Sequence, residues 1–121
     1  MPNPVAPQSI LISTKKLLGM TADYTDFDAD ILMDINSVFS ILKQLGVGPK
    51  SGFSITGDSE TWADFLPNGN IEMVKTYMYL KVRLMFDPPV NSYLIESINR
   101  QIAELEWRMN VEIEPYGKED D

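Results

Sequence analysis

The stretch from Ile71 to Asn110 constrains the chain most. Two helical patterns are separated by Asp87-Pro88-Pro89, and in the first, Ile71 to Phe86, only Glu72, Lys75, Thr76, Lys81 and Arg83 are polar. A helix that is apolar on nearly every side must be enclosed, by its own domain or by another subunit. At about 100° per residue, Glu72, Thr76 and Arg83 gather in one narrow stripe, while Lys81 falls between Tyr77 and Val74 in the widest apolar arc. Two readings of Lys81 are open. Its long stem covers apolar surface while the ammonium reaches water, or the ammonium pairs with an acid across a subunit boundary.

Pro88 and Pro89 remove two backbone donors and push Asp87 out of the helical region, so the chain turns there. Asn91 or Ser92 then starts a helix predicted to run to Asn110, with Leu94, Ile98, Ile102, Leu105 and Met109 as its core face. Glu96 with Arg100, and Glu104 with Arg108, have the four-residue spacing that favours ion pairs along a helix. Trp107 lies opposite the core face, near Tyr93, Arg100 and Ala103. It is either covered by an arginine stem or the tail, or it is an anchor for a partner, a role in which tryptophan is enriched. From Val111 the chain is acidic and carries Pro115 and Gly117, so residues 111–121 are predicted to leave the helix as a flexible acidic tail.

Upstream, Ser9 can cap a short helix whose Ile10, Leu11, Thr14, Leu17 and Leu18 share a face, ending at Gly19. Thr25 and Asp28 have the spacing of a capping box. Phe27, Ile31, Ile35, Val38, Leu42 and Leu45 then recur at steps of four and three up to Gly46, with Leu32 and Phe39 widening the stripe. Gly46 to Asp58 is punctuated by glycine and proline, with Phe53-Ser54-Ile55-Thr56 as the one possible extended piece. Extended, it points Phe53 and Ile55 the same way, as an arm laid on a neighbour; the alternative is a loop folded onto its own core. Ser59 or Asp58 caps a short helical turn through Trp62 and Phe65. The expected fold is all-α, a small bundle of four to five helices with a Gly-rich loop or short extended arm between the second and third helices. Residues 1–110 form the one domain.

At 121 residues such a domain removes about two thirds of its unfolded surface from water and folds without a metal or disulfide. The sequence contains no cysteine and no histidine, which excludes thiol nucleophiles, thiolate zinc sites and imidazole bases. Asp26-Phe27-Asp28-Ala29-Asp30 begins like a calcium loop, but Ile31 replaces its glycine and Ser37 its final glutamate. Gly46-Val47-Gly48-Pro49 lacks the rest of a dinucleotide turn, and Ser13-Thr14-Lys15-Lys16 lacks the companion motifs of acyl enzymes. No catalytic, cofactor-binding or metal residues are assigned. Neither a secretion signal nor a membrane span is indicated, so synthesis in the cytoplasm is expected.

The net charge of −8 is regional. Asp23, Asp26, Asp28, Asp30 and Asp34 carry −5 with no base among them, and Val111 to Asp121 carries −4, leaving +1 for the remainder. Such acidity repels duplex DNA within about 8 Å at physiological salt, and suits either a helix amino terminus or a surface past which DNA slides. It also allows a rival function, an acidic regulator or nucleic-acid-mimicking inhibitor. Direct DNA recognition is not expected.

Read as strings, Ile35-Asn36-Ser37-Val38-Phe39, Gln44-Leu45-Gly46-Val47-Gly48-Pro49, Trp62-Ala63-Asp64-Phe65-Leu66, Tyr79 to Leu84 through Phe86-Asp87-Pro88-Pro89, and Ile98 to Arg108 resemble the head-tail connector proteins of long-tailed phages and prophages of Gram-positive bacteria. The similarity spans about Ile10 to Asn110. It implies a nonenzymatic adaptor at the head-tail junction of the virion, assembled in the host cytoplasm. It also implies a ring of its own copies, typically twelve, around the DNA channel. Implied partners are the portal protein and a downstream tail-completion protein, with DNA passing unbound and no membrane involved. A closed ring needs two different patches per subunit. Phe53, Ile55, Lys81, Tyr93, Arg100 and Trp107 are the interface candidates.

Overall fold

A computed structural model describes residues 9–117, with side chains as far as Val111. Five helices follow one another: α1 (Ile10–Leu17), α2 (Asp28–Gln44), α3 (Trp62–Phe65), α4 (Ile71–Phe86) and α5 (Ser92–Gly117). No strand occurs among the described residues. The only extended pairing there is an antiparallel bridge between Ser9 and Thr61, where Ile10 N–H donates to the Glu60 carbonyl at 3.0 Å. The protein is all-α, as its periodicity predicts.

The enclosed helix is α4, and its own domain encloses it. Helices α1, α2 and α5 all pack on it, burying Val74, Tyr77, Met78, Leu80 and Val82. From α2 come Ile31, Ile35, Val38, Phe39 and Leu42, all buried on the predicted face. The Tyr77 hydroxyl, at the centre of this packing, donates to Glu106 Oε2 of α5 at 2.8 Å. This contact sets the register of the α4–α5 pair. With Tyr77 facing Glu106, the end of α4 faces roughly Ser97 at the common rise of about 1.5 Å per residue. Leu94, predicted for the core face, therefore lies past the end of α4 and is exposed.

Local chemistry explains most boundaries. Ser9 caps α1 by accepting from Ile12 N–H. Gly19 and Gly46 follow α1 and α2 with positive φ, the left-handed geometry that ends helices. At the start of α2 the expected capping box is absent. Phe27 occupies the N-cap without a side-chain bond, because Asp28 is drawn to Lys15. The Lys15 ammonium, 1% exposed, meets Asp28 Oδ1 at 2.8 Å and donates to the Ala22 carbonyl at 3.1 Å. That ion pair pins α1 to the first turn of α2. Helix α3 is capped by Thr61, not by Ser59 or Asp58, in a reciprocal box with Asp64. Helix α5 does not stop at Asn110. It continues to Gly117, with Pro115 in its last turn. The acidic stretch from Lys118 onwards lies outside the described residues.

The loop between α2 and α3 folds back on the core. Asn36 of α2 clamps the Ile55 backbone, accepting from its N–H at 2.8 Å and donating to its carbonyl at 2.9 Å. Phe53 joins Phe39 and Phe65 in a cluster with ring centroids 4.7 to 5.3 Å apart. At Gly48, with φ of +93°, the Phe65 ring stands where a Cβ would be.

The Lys15–Asp28 pair is asymmetric, since Asp28 keeps 29% exposure. Asp28→Asn strands a buried ammonium and is expected to lower the unfolding free energy by about 3 kcal/mol. Lys15→Met leaves a carboxylate that is exposed in part although its Oδ1 is buried, and is expected to lower it by less. Urea denaturation of both variants checks the order, and a larger loss for Lys15→Met would contradict it. Tyr77 makes a second prediction. Burial, then the hydrogen bond and charge of Glu106, push its phenol well above the ordinary value of 10.0. The fold thus favours the neutral phenol. Its contribution is complete below about pH 10 and is lost as pH rises beyond it, because the unfolded chain ionises first. Between about pH 9 and pH 11 the wild type should lose thermal stability more steeply than Tyr77→Phe; parallel curves would refute this.

Candidate functional site

Helix α5 divides cleanly into two faces. The inner one carries Ile102 and Met109, both buried, and the half-buried Ile98 and Leu105 that pack against the same core, with Glu106 bonded to Tyr77. The opposite face carries Tyr93, Arg100 and Trp107, spaced seven residues apart. Two helical turns bring each almost above the last, so the three form one stripe. Tyr93 is 78% exposed and Trp107 is 65% exposed. No arginine stem covers the indole. Arg100 lies between them, exposed, and makes no ion pair among the described residues. By contrast Arg108, farther round, is taken by Glu104 at 2.7 Å.

The other interface candidates lie elsewhere. Ile55 is 2% exposed and Phe53 is half-buried among aromatic rings, so the loop follows the folded-back alternative rather than that of an arm. The Asn36 clamp is the reason, because it satisfies the Ile55 backbone from within the protomer. Lys81 is half-buried, with its ammonium 6.0 Å from the Tyr77 ring centroid. Its stem lies on apolar surface, and no acid of the described residues is within pairing distance.

One exposed patch has no counterpart in the sequence reading. Phe27, assigned there to the core stripe of α2, instead sits at the N-cap, half in solvent. It contacts Tyr24 at 5.9 Å and Phe86 of α4 at 5.4 Å, making an aromatic corner beside the exposed Met85. Asp23 and Asp26 flank Tyr24 and Phe27 in the sequence, Asp30 follows three residues after Phe27, and all three are exposed. The only hint in the sequence is that Phe27 comes immediately after a polar, acidic segment.

Among the described residues no group of three or more acids could hold a metal ion, and no helix is long and apolar enough to cross a membrane. A groove of about 290 Å³ is lined by Trp62, Leu66, Pro67, Ile71 and Lys75, with Lys75 its one charged lining residue.

Residues 10–116 match the family described as phage connector protein, which covers all five helices almost to the end of α5. No curated protein and no solved structure matches the chain. The chain belongs to the phage connector protein family, whose members are structural proteins rather than enzymes.

Proposed function

We propose that this connector joins the portal vertex of the DNA-filled capsid to the tail, as a ring of its own copies around the DNA channel. The resemblance to head-tail connectors implies about twelve copies. Its partners are then the portal protein, neighbouring copies and a downstream tail-completion protein, with DNA passing unbound. It is made in the host cytoplasm and resides at the head-tail junction of the virion. The connector domain takes in all of α5, as far as Gly117, and the sequence beyond it is acidic.

The observation that carries this reading is the stripe Tyr93–Arg100–Trp107. A monomer in water gains nothing from holding a tryptophan and a tyrosine outward on the side of a helix away from the core, and interfaces are enriched in these three residue types. Phe53 and Ile55, enclosed as they are, drop out as contacts, whereas Lys81 remains at the edge of the α4 surface. The acidic-mimic alternative is weakened by Lys15, which neutralises one of the five acids of the Asp23–Asp34 block within the fold.

Trp107→Ala removes an exposed ring, so the purified variant should keep the wild-type unfolding midpoint to within about 0.5 kcal/mol. In infected or induced cells it should be lost from purified particles, and electron microscopy should show heads without tails. Normal tailed virions carrying Trp107→Ala would reject the assignment of this face.

A further inference from the structure

The outward stripe of α5 meets a different surface, and the fold presents one that fits. We propose that Tyr93, Arg100 and Trp107 of one protomer dock onto the aromatic corner Tyr24–Phe27–Phe86 of the next copy, with Arg100 directed at the acids around that corner. This deepens the ring reading above and rests on it for the closure of the contact, though not for the contact itself.

Self-pairing of the stripe is opposed by its own charges. Arg100 lies midway between Tyr93 and Trp107. A two-fold pairing that set Tyr93 against Trp107 would place Arg100 directly against Arg100 and Glu96 against Glu104. Two arginines then face each other at the centre of the pairing, with Glu104 already engaged by Arg108, which is unfavourable when water is removed. A stripe that cannot pair with itself needs a complementary surface, and contacts between unlike patches are what propagate head to tail.

The corner supplies what the stripe lacks. Its rings stand edge-on or tilted to one another, at 60° for Tyr24 with Phe27 and 69° for Phe27 with Phe86. Tyr24 and Phe27 are each 42% exposed, more than a ring committed to the core would be. Close to them in the sequence, Asp23, Asp26 and Asp30 make no ion pair among the described residues, while Asp28 is already engaged by Lys15. The corner is thus aromatic and net acidic, against a stripe that is aromatic with a central cation. Arginine approaching from the neighbour can stack on a ring and reach a carboxylate together, a combination lysine serves less well.

The absence of cysteine makes the contact directly testable. Ala103 lies beside Trp107 on α5, Thr25 lies between Tyr24 and Phe27, and both are exposed. Full-length Ala103→Cys and Thr25→Cys proteins, mixed at high concentration and oxidised, should give a disulfide heterodimer in large excess over either homodimer. The double variant should give a ladder of higher species. Arg100→Glu should reduce the cross-linked fraction at least tenfold, and adding Asp26→Arg to the Thr25→Cys partner should restore part of it. A predominant Ala103→Cys homodimer would show that the stripe pairs with itself and overturn the proposal. So would absence of any cross-link, or indifference to Arg100→Glu. The two readings fail separately. A heterodimer from a protein that is missing from purified virions removes the connector role and leaves the contact. A protein present at the head-tail junction but never cross-linked keeps the role and removes the contact.

Discussion

The enclosure of α4 is the constraint on which the rest of the structure depends. Sixteen residues, apolar through most of their circumference, need cover on several sides at once. The chain provides it with α2 on one side, α5 on another and α1 closing a third edge. A fully buried Tyr77 brings a hydroxyl into this packing, which must be satisfied. Glu106 does so, and in doing so it fixes how far α5 slides along α4. The assignment of α5 residues to inside or outside follows from that one register.

The helical core was legible from spacing alone. The α2 stripe Ile31, Ile35, Val38 and Leu42, and the α5 residues Ile102 and Met109, fall where a period of 3.6 puts them, because burial on one face leaves that periodicity in the sequence. Trp107 was legible for the same reason, as a large ring at the wrong phase of a clear pattern. What periodicity could not show were contacts between elements. Lys15 looks like an ordinary surface lysine until α1 is set against α2. The Asn36 clamp on Ile55 joins residues 19 apart in sequence through a side-chain amide, and it decides whether the loop is an arm or part of the core. Phe27 fits the phase of the α2 stripe, but it lies just outside the helix, where the backbone direction changes and phase loses its meaning.

The candidate surface was half legible. Tyr93, Arg100 and Trp107 follow from one helical wheel, whereas the aromatic corner is assembled from a turn, an N-cap and the end of a helix far along the chain. Such a patch leaves no local pattern. The acids around it do appear in the sequence as an unbalanced run, but the run alone does not reveal that one member is neutralised inside the fold while its neighbours remain at the surface.

Helix α5 spans 26 residues against 16 for α4, about 39 Å against about 24 Å. The partner that buries it therefore ends before it does at both extremities. Helix α5 thus outreaches α4 as a single rod. Lengthening or trimming the rod beyond Met109 by whole turns would alter the reach of the molecule toward whatever lies above or below it, while leaving the hydrophobic interior untouched. Reach and folding are in this way carried by separable stretches of the same helix, so that one can vary without the other.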